Sequence, residues 1–188
     1  MVSPIEPYLG QGRVTPYPKR EVAARIIWSI VQATIFRWSP RPWHRLRVEL
    51  LRWFGAEIPE PDKVRIFPTV AILFPWRLTI HPRVMVGPNV RLYNIGCITL
   101  EYGANIAQHA HLCAGTHDYR RWDMPLLSSP IHVGKNVWIC AEAFIGPGVT
   151  IGELTIIGAR AVAVSNQPAR KICAGQPCRP LKDRPTPI

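Results

Sequence analysis

Val133, Ile139, Ile145, Ile151 and Ile157 stand on a strict six-residue grid, and this grid restricts the fold more tightly than anything else in the chain. Gly follows the aliphatic residue at Gly134, Gly146, Gly152 and Gly158. A small or β-branched residue stands four places after it, at Val137, Ala143, Val149, Thr155 and Ala161. An α-helix asks for apolar residues every three or four positions, and an ordinary strand for one every two. A long run of sixes suits neither. It suits a parallel β-helix whose coils have three flat faces, with one hexapeptide to each face. The aliphatic side chain then points inward and stacks on its counterparts above and below. The Gly is expected near a corner, where φ turns positive. The second small residue fills a narrow interior without overpacking it.

The grid continues upstream through Ile66 and Ile72, then Ile80, Val86 and Leu92, then Leu100, Ile106 and Leu112. Two wider gaps, near Pro75–Trp76 and Asn94–Gly96, read as two-residue corner insertions. Between Leu112 and Val133 the grid breaks, and the break holds Gly115, Thr116, His117, Asp118, Tyr119, Pro125 and Pro130. It reads as a loop over about 114–131 that leaves the solenoid, and long loops in compact domains are usually functional or disordered. The expected organisation is an N-terminal segment at 1–57, an all-β solenoid of about five coils at 58–166 and a C-terminal tail at 167–188.

The formal net charge of +11 is spread from Arg13 to Arg184 without a dense run, which argues against a nucleic-acid tail. Arg160, Arg170, Lys171, Arg179, Lys182 and Arg184 fall late in the chain. Such a cluster suits a polyanionic ligand such as a phosphorylated cofactor; a solvated terminus would carry the same charge. The five Cys are odd in number and form no CxxC, as expected of reduced thiols in a cytoplasmic protein. Met1–Arg20 is rich in Pro and polar residues and lacks the apolar core of a signal peptide.

Glu21–Trp38 reads as a helix, Ser39–Pro42 as its break, and Trp43–Phe54 as a second helix ended by Gly55. The apolar run Ile26–Phe36 is too short for a bilayer span, which takes about twenty residues. The first reading is that these helices pack on the solenoid or on another subunit. A β-helix end exposes unpaired strand edges, and repeat arrays need caps. The other reading is peripheral contact at the inner face of a membrane, because Trp28, Trp38, Trp43 and Trp53 stand beside Arg25, Arg37, Arg41, Arg45 and Arg52.

His117 opens the long excursion, flanked by Gly115 and Thr116. Histidine's ordinary pKa lies close to neutral pH, as proton transfer requires. A loop His by itself can equally be an ordinary polar residue; the repeat context favours a catalytic one.

The segments Ala114–Tyr119 (AGTHDY), Val133–Ala141 (VGKNVWICA), Phe144–Ala159 (FIGPGVTIGELTIIGA) and Ala174–Arg179 (AGQPCR) resemble the hexapeptide-repeat sugar O-acetyltransferases. Phe36–Pro42 (FRWSPRP) and Leu50–Ile58 (LLRWFGAEI) bring the chain nearest to the colanic acid biosynthesis acetyltransferase type within them. The resemblance covers the chain from about Lys19 onward. It implies a left-handed β-helix, against the usual crossover hand, and a homotrimer with sites between subunits. It also implies acetyl-CoA as donor and a sugar or glycan hydroxyl as acceptor, a role in polysaccharide biosynthesis. His117 corresponds to the family's catalytic base. Asn94, Asp118 and Tyr119 fall at or near acceptor-contacting positions; Asn94 could equally be a corner residue, and Asp118 could orient His117 or cap the loop. Trp138, Ala141, Ala159, Arg160 and Arg179 fall at or near positions along the coenzyme arm and its phosphates. The chain departs from many relatives at Val164-Ser165-Asn166, where a Thr-Lys-Asp run would place a phosphate-pairing Lys.

Two other functions compete. A metal enzyme like the γ-class carbonic anhydrases needs three His on one Zn²⁺ with an open position, and His109, His111 and His117 are its candidates; the acetyltransferase reading expects no metal. A non-catalytic scaffold would keep the repeat and lose the chemistry.

Overall fold

The computed structural model describes residues 17–185, so most of the Met1–Arg20 stretch lies outside the described residues. From Arg65 onward the chain winds about five times around a three-sided prism. The first coil holds β1 (Arg65–Ile66), β2 (Ala71–Ile72) and β3 (Leu78–Ile80). The second holds β4 (Met85–Val86), β5 (Arg91–Tyr93) and β6 (Ile98–Leu100). The third runs through β7 (Asn105–Ile106) and β8 (His111–Cys113), leaves the prism as a hairpin of β9 (Gly115–His117) and β10 (Leu126–Ser128), and returns as β11 (Ile131–Val133). The fourth is β12 (Trp138–Ile139), β13 (Phe144–Ile145) and β14 (Thr150–Ile151), and the fifth begins with β15 (Ile156–Ile157) and β16 (Val162–Ala163). The tail continues the prism: β17 (Lys171–Ala174) pairs in parallel with β15, and β18 (Arg179–Asp183) folds back on β17 antiparallel.

Strands of two or three residues have no stability of their own; stacking supplies it. On the first face Ile66, Val86, Ile106, Ile139, Ile157 and Cys173 align rung on rung. On the second, Ile72, Leu92, Leu112, Ile145 and Ala163 align. On the third, Ile80, Leu100, Val133 and Ile151 align, and the final rung is Gln167. All of these side chains are buried.

The corners correct one expectation. Positive φ does not fall on Gly134, Gly152 or Gly158 but two residues later, on Asn136 (52°), Leu154 (58°) and Arg160 (57°), with Arg83, Asn89, His109, Glu142 and Arg170 at the equivalent place in other turns. The glycines answer to a different constraint, the closeness of the next coil. A Cβ on Gly134 would stand 2.8 Å from Ile151 O, and one on Gly158 would stand 2.9 Å from Ala174 Cβ.

The N-terminal segment closes the open end of the prism. α1 (Lys19–Val31) runs on through a π-helical turn at Gln32–Phe36, and α2 (His44–Trp53) follows the Pro40–Pro42 break. Gly55 ends α2 at φ 89°, with Gly55 N–H on Arg52 O (2.9 Å) and Ala56 N–H on Leu51 O (2.9 Å), a Schellman cap. Each exposed strand edge of the first coil receives a partner. Arg47 Nε donates to Ile66 O on the first face (2.7 Å). On the second face Trp28 Nε1 donates to Ile72 O (2.7 Å), and Gln32 Oε1 accepts from Ile72 N–H (2.7 Å). On the third, Glu57 pairs through its backbone with Leu78 and Ile80 (2.9 Å each). The packing reading of the helices therefore holds for their inner faces.

Candidate active site

Both corner insertions and the hairpin fall at the same corner, between the second and third faces. Asn94 organises it from within. Its Oδ1 accepts from Leu73 N–H (3.1 Å) and Phe74 N–H (3.0 Å), and its Nδ2 donates to Phe74 O (2.6 Å). The side chain is fully buried and has no surface to offer an acceptor. Its contacts match the corner role. Arg77 adds a second tie, donating to Ile95 O while pairing with Glu21 of α1. The insertion so fixed seats the root of the hairpin: Ala114 O accepts from Gly96 N–H (3.3 Å) and Ser129 N–H (3.1 Å). Any side chain on Gly96 would meet Ser129 O at 2.8 Å.

The hairpin pairs His117 with Leu126 and Gly115 with Ser128. His117 ends β9 and is exposed. Its Nδ1 lies 2.6 Å from Met124 O. A carbonyl oxygen only accepts, so Nδ1 carries the proton and the lone pair of the neutral ring sits on Nε2. Met124 reaches this position with a φ of 37°, an uncommon conformation for a side-chain-bearing residue. No sequence signal marked Met124, since its contribution is a backbone carbonyl.

Asp118 does not hold the His117 ring. It accepts from Arg120 N–H (3.1 Å) and Nε (2.9 Å), and Arg121 forks onto Asp123 at 2.8 and 2.7 Å. The hydrogen bonds from Arg120 hold the Asp118 carboxyl below the usual aspartate range, and those from Arg121 do the same for Asp123. Tyr119 is 87% exposed at the hairpin tip.

Beside the hairpin, a groove of about 310 Å³ opens on the second face between Gln32, Leu73, Arg91, Tyr93, His111 and Cys113. The His111 ring packs edge-on between Tyr93 (6.4 Å) and Phe144 (5.4 Å). Burial, with Arg91 nearby, pushes the pKa of His111 down.

The residues expected along a coenzyme arm stand elsewhere. Trp138 is half-exposed on the first face. Ala141, Ala159 and Arg160 lie at the corner between the first and second faces, where Arg160 N–H donates to Ala141 O (2.9 Å) and its guanidinium pairs with Glu142 (2.8 Å). Arg179 is exposed on β18. One chain thus keeps this set and His117 on different corners. The Val164–Asn166 segment closes the third face: Asn166 Oδ1 accepts from Thr150 N–H (2.8 Å).

The three histidines of the metal reading do not converge. His109 occupies a positive-φ corner beside Asn89 (3.3 Å) rather than sharing a strand with His111, His111 lies on the second face, and His117 is on the hairpin. Among the described residues no group of three His, Cys, Asp or Glu side chains is placed to hold a metal ion.

Residues 130–162 match the family described as bacterial transferase hexapeptide (six repeats). The chain is 40% identical to the candidate colanic acid biosynthesis acetyltransferase WcaF of Escherichia coli (strain K12), over 84% of this chain and 86% of that one. The chain belongs to the hexapeptide-repeat acetyltransferase family. Solved structures share the fold at lower identity. A galactoside acetyltransferase in complex with coenzyme A superposes with a TM-score of 0.80 at 22% identity, over 90% of this chain and 84% of that one. A hexapeptide-repeat acetyltransferase of Vibrio cholerae O1 biovar eltor, complexed with acetyl coenzyme A, gives 0.77 at 22%, over 89% and 91%.

Proposed function

We propose that this acetyltransferase moves an acetyl group from acetyl-CoA to a hydroxyl of a sugar or glycan precursor, with His117 as general base. The observation that carries the reading is the contact of His117 Nδ1 with Met124 O, which directs the basic lone pair of Nε2 outward from a braced hairpin. Nε2 takes the proton of the acceptor hydroxyl as that oxygen bonds to the thioester carbonyl carbon. The tetrahedral oxyanion then expels the CoA sulfur, which leaves with the proton from His117 as a thiol. Donor and acceptor classes follow the relatives, one named for galactoside and two solved with coenzyme A or acetyl coenzyme A.

The coenzyme arm runs along Trp138, Ala141, Ala159 and Arg160 toward Arg179. Asp118 and Tyr119 on the hairpin edge face the acceptor; Asn94, enclosed in its corner, supports them from behind. The separation of the coenzyme set from His117 within one chain favours a homotrimer, in which the hairpin of one subunit meets the coenzyme corner of its neighbour. Acetyl-CoA turnover with a panel of sugars tests the base. His117→Ala should lower kcat by roughly 10²- to 10⁴-fold with the oligomer intact, and unchanged turnover would remove His117 from the mechanism.

A further inference from the structure

We propose that the outward face of α1 and its π-helical extension is a docking surface for an anionic phospholipid bilayer. The inner face of this helix is committed to the prism through Trp28, Gln32 and Phe36. The opposite face is apolar and open: Ile26 and Ile27 are each 55% exposed, Ile30 is 60% and Trp38 82%. A solvated helix carries charge on its outward side. Here the sequence between Arg25 and Arg37 contains no charged residue at all.

The polar side chains on the outer side are turned inward chemically. Ser29 Oγ donates to Arg25 O (2.8 Å) and Thr34 Oγ1 donates to Ile30 O (2.6 Å), each four residues back along the same helix. Both hydroxyl protons are thereby satisfied without water, as a helix face needs where water is excluded. Around the apolar strip the chemistry changes sign. Arg37 and Arg41 are exposed beside Trp38 and Trp43 in the segment that follows, in a protein of formal charge +11. Arg and Trp at the margin of an apolar helix face suit the headgroup level of a bilayer, with the Ile side chains at the acyl boundary. Among the described residues no helix is long and apolar enough to cross a membrane, so this one lies in the interface plane.

A second copy of the chain suits the surface less well. Pairing this face with itself would bring two arginine margins together, whereas anionic headgroups neutralise them.

Co-sedimentation of the full chain with phosphatidylglycerol/phosphatidylcholine vesicles tests the proposal, with pure phosphatidylcholine vesicles alongside. Binding is expected to the anionic vesicles and to weaken with salt. Ile27→Ser with Ile30→Ser should lower partitioning roughly tenfold or more. Arg37→Gln with Arg41→Gln should lower it roughly tenfold and blunt the salt dependence. All four side chains are exposed, so melting temperature and sedimentation coefficient should stay at the wild-type values for both variants. Absence of wild-type binding to the anionic vesicles overturns the proposal, as does undiminished binding by both variants. A smaller assembly formed by the isoleucine variant also overturns it, by making the face a contact between copies.

Discussion

The Nδ1 atom of His117 and the carbonyl oxygen of Met124 are 2.6 Å apart across seven residues of hairpin. A backbone atom thus selects the tautomer of the proposed base. What matters at position 124 is then conformation rather than side chain. Met124→Gly suits a φ of 37° and should leave kcat within about threefold. Met124→Ile puts a β-branched residue there, at a cost of about 1–2 kcal/mol to the hairpin, and should lower kcat roughly tenfold by letting the ring wander. Steady-state kinetics on the two variants checks this; equal kcat values would separate the ring from the carbonyl.

The hairpin tip should respond to acid with a definite sign. Asp118 and Asp123 titrate below the ordinary aspartate value of 3.8 because of their arginine partners. Their contribution to tip order is complete above that value and is lost as pH falls through the depressed one. Carboxyl chemical shifts of the two residues should therefore titrate with midpoints below 3.8. The Arg120 and Arg121 Nε–H resonances should broaden in the same range.

Arg47 is a fully buried cation with no carboxylate partner among the described residues. Its guanidinium donates to the oxygens of Ile66 (2.7 Å), Ser39 (2.7 Å), Pro40 (2.9 Å) and Arg41 (2.7 Å), and His44 Nδ1 lies 3.2 Å from its Nη2. Burial pushes its pKa down. Arg47→Met leaves the Pro40 and Arg41 carbonyls without this donor and should cost about 3 kcal/mol, roughly 6 °C or more in Tm. Arg47→Lys should recover little, because an ammonium cannot reproduce the planar fork. Thermal denaturation of both variants is the check.

Two glycines that look alike in sequence should behave differently. A Cβ at Gly152 would run into Ala169 N and stand 2.6 Å from Ala169 Cα, whereas one at Gly146 meets nothing nearer than Ala163 O at 3.4 Å. Gly152→Ala should destabilise by about 2 kcal/mol through overpacking, and Gly146→Ala by less than about 0.5 kcal/mol. Denaturant midpoints measure the contrast.

The inward rungs could be read directly because an inward side chain must be apolar and must recur every six residues, as Val133 and Ile139 do. The positive-φ corners could not. Residues as unlike as Arg83, Asn136, Glu142 and Leu154 occupy them, since the constraint is on the backbone and the side chain points into solvent. His117 stood out because an imidazole beside a break in the grid is chemically distinctive. Met124 was invisible because every residue has a carbonyl. Asn94 shows the reverse difficulty. A polar residue at a corner looks available for a ligand, and only the three-dimensional path of Leu73 and Phe74 reveals that its amide is already occupied.

The corners of the prism are not equivalent as places to change the protein. Two of them are threaded by successive positive-φ residues whose N–H groups bond to the coil before, as Glu142 does to Gln108 and Leu154 to Lys135. Extra residues there would throw every later rung out of step. The third corner already tolerates a three-residue 3₁₀ turn, a short insertion and a whole hairpin, and the rungs of the third face still align across them. One loop can therefore be lengthened or exchanged at that corner, while the spacing of the remaining coils is inherited unchanged.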